Sequence, residues 1–269
     1  MDGRLFCWKK RDGSALAPEQ GTRYNKRNWF KTPDSGVWDR ERLLGRLKDY
    51  GHAREEICEV GRLLYQRGYV VSNDGNISVR VDEGKVLITP SGVGKGRMTP
   101  EMLVLCDLEG NVLEGDRYPS SESKMHLMIY REREDVMSVV HAHPPMSTAF
   151  AICRRPLKER YLSEMVAGLG EVPVTEFAML STHEVAESVR PFVQNHNAVL
   201  LANHGSLAWG PTLWSAFDRL ETVEQTAKVY YYVSRLGGGV EITPEQAETL
   251  RSMGDYYRKL AGKRDSGET

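Results

Sequence analysis

The stretch VVHAHPP, residues 139–145, places two histidines one residue apart at the end of an apolar run and follows them with two prolines. In an extended chain residues i and i+2 lie on the same face, so His141 and His143 would project together, about 6–7 Å apart along the strand. Pro144 and Pro145 cannot donate a hydrogen bond to a sheet, so the strand should end here. The pattern predicts two imidazoles at a strand end, able to converge on one ligand.

Two interpretations of this histidine pair are open from these residues alone. The imidazoles can be hydrogen-bonded structural groups, or they can be ligands of a metal ion, since such sites are commonly built from clustered histidines. The four cysteines are scattered, without a Cys-x-x-Cys pair: Cys7, Cys58, Cys106 and Cys153. Any metal must therefore use histidine and carboxylate ligands. Reduced thiols are expected, which favours a cytoplasmic location.

The overall charge argues against nucleic acid and membrane partners. The 269 residues carry a formal net charge of −1, with 27% charged and 40% hydrophobic residues. A chain without an excess of basic groups has little with which to neutralise the phosphates of nucleic acid or anionic lipid. No apolar run approaches the length of a transmembrane helix, and no signal-peptide segment is evident. We therefore expect a cytoplasmic globular protein.

Two regions of the chain differ in pattern. Residues 1–38 mix aromatic, glycine, proline and basic residues without a steady period, which predicts an N-terminal extension that is partly ordered at most. Over residues 39–269 helical and strand-like apolar spacings follow one another, which predicts one layered α/β domain with a mixed sheet. A strand is expected at EVPVTEF, residues 171–177, and the clearest predicted helix begins at Pro211 and ends at Gly237.

A third histidine also follows an apolar run. His204 ends the strand-like stretch AVLLANH, residues 198–204, so two strand ends could face one cleft. Three protein ligands and an open fourth position are typical of catalytic zinc. The remaining histidines fall in helical or helix-end sequence and are expected to be surface or structural groups: His52, His126, His183 and His196.

Glu122 is the carboxylate expected to work with these histidines. It follows Ser120 and Ser121 at a predicted helix start, where free backbone N–H groups and the helix dipole favour anions. The serines can cap the helix, and the same groups can hold a phosphate. The two roles are compatible, so the sequence leaves both open.

The glycine-rich segment TPSGVGKGR, residues 89–97, is a poor nucleotide motif. It lacks the Gly-Lys-Ser/Thr ending of a P-loop, and Gly92-Val-Gly94 is too short for a dinucleotide motif. The segment can still form an irregular loop that offers backbone N–H groups to an anion.

Five segments in this order, SNDGNISVR, LITPSGV, PSSES, VVHAHPP and LLANHG, resemble the class II aldolase/adducin family. The similarity covers roughly residues 40–260, and the motifs are nearest to those of the fuculose phosphate aldolases in that family. The resemblance implies a single three-layer α/β domain with a central mixed, largely antiparallel sheet flanked by helices. It also implies a homotetramer with active sites at the subunit boundaries.

The resemblance implies the members of a metal and phosphate site. Zn²⁺, with Mn²⁺ or Fe²⁺ as alternatives, would be held by His141, His143 and His204, with Glu122 as a fourth ligand that swings away to act as acid and base. The substrate phosphate would lie among Gly75, Asn76, Ser91, Gly92, Ser120 and Ser121.

Two positions depart from the pattern of the fuculose phosphate aldolases, and a third agrees with the aldolases rather than with the epimerases. Glu164 aligns with the tyrosine that fuculose phosphate aldolases extend into the neighbouring subunit's site, and Tyr161 lies three residues earlier. Glu164 is therefore a candidate catalytic residue. Asn73 replaces the threonine usual in the phosphate loop, and its amide can still donate. The related 4-epimerases carry aspartate where this chain has Glu122, which favours the aldolase branch.

The resemblance predicts a metal-dependent aldolase of carbohydrate metabolism, a carbon-carbon lyase. Its substrate would be a small phosphorylated sugar, a ketose 1-phosphate such as L-fuculose 1-phosphate or a 5-deoxyribulose 1-phosphate-like sugar, and its products dihydroxyacetone phosphate and an aldehyde. The alternatives on the same site are a sugar-phosphate 4-epimerase, a methylthioribulose-1-phosphate dehydratase and a decarboxylase. A non-catalytic interaction module of the adducin kind is a further alternative, which the four metal-site residues argue against.

Overall fold

The computed structural model describes residues 50–158 and 161–266. The N-terminal extension expected over residues 1–38 and the start of the domain expected at residue 39 lie outside the described residues. Within the described parts of the chain, no helix is long and apolar enough to cross a membrane.

Seven strands form one sheet. They are β1 (Asn76–Asp82), β2 (Lys85–Ile88), β3 (Val104–Asp107), β4 (Val112–Glu114), β5 (Ser138–Ala142), β6 (Ala198–Leu201) and β7 (Gly205–Gly210). Their order across the sheet is β4-β3-β2-β1-β5-β7-β6, and every neighbouring pair is antiparallel. Strands β1, β5 and β7 are all interior strands, each with a hydrogen-bonded neighbour on both sides.

Six α-helices accompany the sheet in the described residues: α1 (Tyr50–Gln66), α2 (Ser123–Glu132), α3 (Pro145–Ile152), α4 (His183–Val189), α5 (Leu213–Arg235) and α6 (Pro244–Ser266). Short 3₁₀ turns lie at Lys95–Arg97, Pro100–Met102 and Arg190–Phe192, and a π-helical turn lies at Met165–Leu169. In α1 the buried residues Ala53, Ile57, Val60 and Leu64 recur every three or four positions, so one face of the helix packs on the core.

Both faces of the sheet are covered by helices. Along β5, Val139 and Val140 point to opposite sides, and each belongs to a different buried cluster. The Val140 cluster includes residues of α1 and α5, whereas the Val139 cluster includes residues of α2 and α4. Helix, sheet and helix therefore form three layers, which confirms the predicted fold class. The only parallel pairing among the described strand contacts is a single bridge between Val174 and Leu200.

One predicted strand was wrong, two elements were not predicted, and one helix begins two residues later than expected. Residues 171–177 form isolated bridges rather than a strand, because Pro173 lies in their middle and has no N–H group for a ladder. Strand β7 was not predicted, because its short apolar run between two glycines resembles a turn. Helix α6 was not predicted either, and α5 begins after the capping residue Thr212 rather than at Pro211.

Candidate metal centre

The end of β5 carries the histidine pair. His141 is fully buried in the interior strand β5, opposite Asn76 on β1, and His143 follows the last residue of β5. Pro144 is extended and Pro145 begins α3, so the two prolines end the strand as predicted. The His143 N–H group donates to the Tyr69 carbonyl at 2.8 Å, which fixes the backbone beyond the strand end.

His204 lies in the tight turn that joins β6 to β7. Asn203 has a φ of 57°, in the left-handed region that asparagine tolerates better than most residues. Gly205 then passes so close to β5 that a Cβ atom on it would lie 2.5 Å from the Ala142 carbonyl oxygen and 2.7 Å from His143 Cδ2. Only glycine fits there, and its absent side chain allows the His143 and His204 rings to approach.

The structure brings the three predicted histidines into one cluster. One nitrogen from each of His141, His143 and His204 lies within 4.8 Å of the other two. Nε2 of His141 and Nε2 of His143 are 3.0 Å apart. Among the histidine, cysteine and carboxylate side chains of the described residues, these three histidines form the group with the spacing of a metal site.

The protonation of these rings explains what the cluster can bind. Nδ1 of His141 lies 2.9 Å from the Ser206 carbonyl oxygen, which can only accept, so Nδ1 carries the proton. Burial, followed by the neighbouring His204, holds the His141 pKa well below its usual value, so the ring is neutral and Nε2 presents a lone pair. Burial lowers the pKa of His143 too, and lowers that of His204 to about 4. Neutral imidazoles are the form that binds metal ions.

Glu122 completes the cluster. Its Oε2 atom lies 3.3 Å from Nε2 of His141, and its Oε1 atom lies 3.2 Å from Nε2 of His204. Asn76 donates its amide N–H to Oε2 at 2.8 Å, which orients the carboxyl group. Burial raises the pKa of Glu122, and the Asn76 hydrogen bond acts in the opposite direction. A carboxyl group with a raised pKa is suited to both take and give a proton.

The start of α2 differs from the simple capping prediction. Glu122 is itself the residue that precedes the helix, and no side chain caps the helix there. The Ser120 hydroxyl accepts the Glu122 N–H at 3.3 Å, and the Ser121 hydroxyl accepts from Ser181 Oγ at 3.1 Å. The serines therefore shape the turn that presents Glu122, and the Ser121 hydroxyl is exposed.

The segments expected to hold phosphate lie side by side. Pro90 and Pro119 form a bridge, so the loop after β2 runs beside the serine turn. The Ser91 N–H donates to the Tyr118 carbonyl at 2.9 Å, and the Ser120 N–H donates to the Thr89 carbonyl at 3.1 Å. The Ser91 and Ser120 amide groups are therefore engaged in this pairing. Their hydroxyl groups are the donors left for a ligand.

The third expected segment, Gly75 and Asn76, lies against the histidine strand. Gly75 has a φ of 72°, and a Cβ atom on it would lie 2.6 Å from Val70 Cγ1 and 2.8 Å from the His141 carbonyl oxygen. Asn76 is buried, and its Oδ1 atom has no hydrogen-bond partner. In contrast, Gly92 has a φ of 73° and open space beside it.

Glu164 lies elsewhere on the surface of the chain. It is exposed and helical, at the start of the π-helical turn Met165–Leu169. Among the described residues, Glu164 takes no part in the hydrogen bonds and ion pairs of the three histidines. Tyr161 instead packs edge-on against Tyr230, with ring centroids 5.3 Å apart.

Sequence reasoning missed two acidic residues, one beside the cluster and one at the start of the helix that follows it. Asp74 Oδ2 lies 3.5 Å from Nδ1 of His143. Glu224 is fully buried on α5 and accepts the Met146 and Ser147 N–H groups, at 3.2 and 2.8 Å, at the start of α3. Asp74 stands in a quoted motif and could have been identified as a carboxylate near the site. Nothing local to Glu224 indicates its role, because its partners lie 77 and 78 positions away along the chain.

The donor set fits a divalent cation with nitrogen and oxygen ligands. The Nε2 atoms of His141 and His143 face each other at 3.0 Å. Each Nδ1 atom lies beside an oxygen acceptor, so the ring protons are on Nδ1 and both Nε2 atoms carry lone pairs. Two lone pairs at that distance, beside a carboxylate, repel one another unless a cation lies between them. Three histidines and a carboxylate are ligands that zinc, iron and manganese sites use.

Comparisons with known proteins agree with this geometry. Residues 55–231 match the family model of the Class II Aldolase and Adducin N-terminal domain. The chain is 36% identical over 183 residues to a 3-oxo-tetronate 4-phosphate decarboxylase of Haemophilus influenzae, covering 66% of this chain and 86% of the relative. It is 34% identical over 206 residues to a 5-deoxy-D-ribulose 1-phosphate aldolase of Bacillus thuringiensis, covering 76% of this chain and 96% of the relative.

A solved structure described as L-fuculose 1-phosphate aldolase has the same fold. It superposes with a TM-score of 0.70 and 34% sequence identity, over 74% of this chain and 94% of the other. Enzymes of this family act on small sugar phosphates, and the similarity supports lyase activity and metal dependence. The chain belongs to the class II aldolase and adducin family.

Proposed function

We propose that the protein is a metal-dependent aldolase that cleaves a ketose 1-phosphate to dihydroxyacetone phosphate and an aldehyde. The observation that carries this proposal is the position of Glu122, whose carboxylate oxygens lie 3.2–3.3 Å from two of the clustered histidines. Beside it lies the serine turn with its exposed hydroxyl. An acid-base carboxyl group, a metal-binding cluster and hydroxyl donors are thus adjacent.

The residues proposed to hold the metal are His141, His143 and His204, with Glu122 as a fourth ligand before substrate arrives. Zinc is the proposed ion, with manganese or iron as alternatives. When bound, the ion would act as a Lewis acid that stabilises negative charge developing on the substrate oxygens.

Glu122 is proposed to carry the proton at the carbon that remains with the ketone fragment. Cleavage takes the proton from the C4 hydroxyl group and breaks the C3–C4 bond, and the electron pair of that bond passes toward the C2 carbonyl oxygen. The ketone fragment then gains a proton at C3. A buried carboxyl group with a raised pKa can hold that proton and release it. Glu164 of a neighbouring subunit is the proposed donor or acceptor at the aldehyde end.

The phosphate group is proposed to lie against the three loops that meet beside Glu122. The donors would be Gly75, Asn76, Ser91, Gly92, Ser120 and Ser121. Support comes from the hydroxyl groups of the paired segments and from Gly92, whose positive φ and open surroundings leave its backbone accessible. A phosphate dianion gains charge-assisted hydrogen bonds from such groups.

The assembly and the domain limits are proposals of the same kind. Family resemblance supports a homotetramer with active sites at subunit boundaries, a cytoplasmic location, and a catalytic domain over residues 39–269. The exposed position of Glu164 is compatible with a role in a neighbouring site. Sedimentation analysis of the full chain would measure the assembly.

A decarboxylase acting on a 3-oxo sugar acid phosphate is the second candidate. It is favoured by the 36% identity with the Haemophilus influenzae protein and by Glu164 in place of the family's tyrosine. Decarboxylation also breaks a carbon-carbon bond and leaves the electron pair on the fragment that keeps the carbonyl group. Carbon dioxide needs no proton donor when it leaves, so a tyrosine at position 164 is dispensable for it. The 4-epimerase and dehydratase alternatives have no such observation in their favour.

The two candidates differ in their products. Metal-loaded protein is incubated with L-fuculose 1-phosphate, a 5-deoxyribulose 1-phosphate and 3-oxo-tetronate 4-phosphate, and dihydroxyacetone phosphate, aldehyde and carbon dioxide are measured. Release of dihydroxyacetone phosphate with an aldehyde is expected. Carbon dioxide release without aldehyde would replace the aldolase proposal by the decarboxylase. A protein that retains no added metal and releases none of these products would favour the adducin-like module.

A further inference from the structure

Lys95 is a buried lysine at the centre of the glycine-rich segment. Its side chain is 1% exposed, although lysine is almost never fully buried without partners. The ammonium group donates to the Asn73 carbonyl at 2.9 Å and to the Val93 carbonyl at 2.8 Å. These two hydrogen bonds join the loop before β1 to the loop after β2.

The surrounding glycines make room for this lysine. A Cβ atom on Gly94 would lie 2.8 Å from the Ser72 carbonyl oxygen, and one on Gly61 of α1 would lie 2.9 Å from the Lys95 carbonyl oxygen. A Cβ atom on Gly96 would lie 2.6 Å from the Tyr65 ring. The glycines therefore allow close packing of three backbone segments. This explains a glycine-rich motif that fits no nucleotide-binding pattern.

The two joined loops are those proposed to hold the phosphate. Asn73 stands two residues before Gly75, and Val93 directly follows Gly92. A shift of either carbonyl group would move the backbone of the adjacent phosphate residues. A single ammonium group thus links the two loops through one hydrogen bond to each.

The charge of Lys95 is also suited to this place. Burial lowers its pKa to about 8, and the Asp74 and Glu122 carboxylates act in the opposite direction. The ammonium form therefore predominates at neutral pH. A positive charge behind two loops that receive a dianion lowers the electrostatic cost of binding it.

We propose that Lys95 is a positioning residue for substrate phosphate: its buried ammonium group holds the Asn73 and Val93 carbonyls so that the two loops are spaced to receive a phosphate dianion. The inference depends on the proposed function, in which these loops bind the phosphate of the substrate.

A purely structural role would have a different signature. If Lys95 only stabilised the fold, removing its charge would lower the stability of the protein and weaken the binding of all ligands alike. If it positions the phosphate loops, the loss would depend on the phosphate group of the ligand. Dihydroxyacetone phosphate and dihydroxyacetone differ only in that group, so the pair of ligands separates the two roles.

The test compares Lys95→Met with the parent protein, both as metal-loaded full chains. Methionine keeps much of the length and removes the ammonium group. Lys85→Met, at the far end of β2 where the lysine pairs with exposed Asp82, is the matched control. Calorimetry measures binding of dihydroxyacetone phosphate, inorganic phosphate and dihydroxyacetone, and metal content is measured in each variant.

Lys95→Met is expected to weaken the binding of dihydroxyacetone phosphate and of inorganic phosphate on the order of tenfold or more. Metal content and affinity for dihydroxyacetone should be retained. Equal loss for both dihydroxyacetone ligands, or no loss, would overturn the inference. A parent protein that binds neither phosphate ligand would instead contradict the proposed function.

Gly94→Ala tests the same inference without removing a charge. Its backbone is extended, with a φ of −67°, so alanine is compatible with it, and the new methyl group would push against the Ser72 carbonyl. Weaker dihydroxyacetone phosphate binding is expected here too. If Lys95→Met does not fold, unchanged binding in Gly94→Ala would overturn the inference.

Discussion

Oδ2 of Asp74 lies 3.5 Å from Nδ1 of His143, on the side of the ring away from the other histidines. A carboxylate in that position holds the ring tautomer and orientation that leave Nε2 for a metal ion. Asp74 belongs to the loop between α1 and β1, so this contact connects that loop to a histidine proposed to bind the metal.

We predict that Asp74→Asn weakens metal binding about 10- to 100-fold, because a neutral amide polarises the His143 ring less than a carboxylate does. Competition with a chelator of known affinity measures the change. Asp116→Asn removes an exposed carboxylate whose nearest cation is Arg117 at 4.0 Å, and it should leave metal affinity unchanged. Equal affinity in Asp74→Asn and Asp116→Asn would show that Asp74 does not support the ligand.

Removing one ring of the cluster should release the metal. His141→Ala and His204→Ala each leave two histidines, too few neutral donors to hold the ion firmly, and turnover should be lost with it. Elemental analysis of the purified protein measures the metal content per chain. His196→Ala is the control, because that ring contacts the Glu171 carbonyl and not the cluster. Full metal occupancy in both cluster variants would refute the assignment.

Glu122→Gln should separate chemistry from metal binding. The amide keeps the shape of the side chain and can remain near Asn76, but it cannot take a proton, so turnover should fall on the order of 10² to 10⁴ while the metal stays. Exchange of the dihydroxyacetone phosphate C3 proton with solvent, followed by NMR, measures the step directly. If the variant exchanges this proton at the parent rate, another group moves it, and Glu164 is the first to examine.

Ser121→Ala should weaken the binding of phosphorylated substrate without unfolding the protein. The Ser121 hydroxyl is exposed and does not cap α2, so its loss removes a donor to the dianion and costs the fold little. The apparent KM is expected to rise about tenfold at unchanged melting temperature. Ser234→Ala, which removes a hydroxyl bonded within α5, is the control. A lower melting temperature with an unchanged KM would instead indicate a structural hydroxyl.

His126 should make the folded state sensitive to acid. Burial lowers its pKa from 6.5 to about 3, and its Nδ1 atom contacts the Ser78 hydroxyl at 2.7 Å. Because the folded pKa is depressed, the unfolded chain takes up a proton below pH 6.5 and the folded chain does not until about pH 3. Stability is therefore lost as the pH falls through this window, by up to about 1.4 kcal/mol per pH unit.

Denaturant titrations of metal-free protein between pH 7 and pH 4 measure that dependence. His126→Asn should flatten the fall in unfolding free energy relative to the parent, since asparagine does not titrate. His52→Asn, at an exposed position on α1, should show the same dependence of unfolding free energy on pH as the parent. Identical slopes in the parent and in His126→Asn would show that His126 is not held neutral.

The sequence alone determined the elements that local chemistry specifies. The prolines after His143 end β5, the run before His204 forms β6, and the serines before Glu122 precede α2. Each depends on the conformational preferences of neighbouring residues, and the motifs at these places were enough to indicate the family and a three-histidine cluster. The three-layer fold followed from the order of such elements.

Only the tertiary structure decided which distant groups meet. Asp74 reaches His143, the Ser206 carbonyl fixes the His141 tautomer, and Lys95 ties together the loops of Asn73 and Val93. The first contact joins the loops at the ends of the paired strands β1 and β5, and the second joins the paired strands β5 and β7; the order of these strands is not written in any local pattern. The third contact needs glycines on α1 and the loop to let backbones approach. Strand β7 belongs to this group as well, since its short run between glycines becomes a strand because β5 and β6 lie on either side to accept its hydrogen bonds.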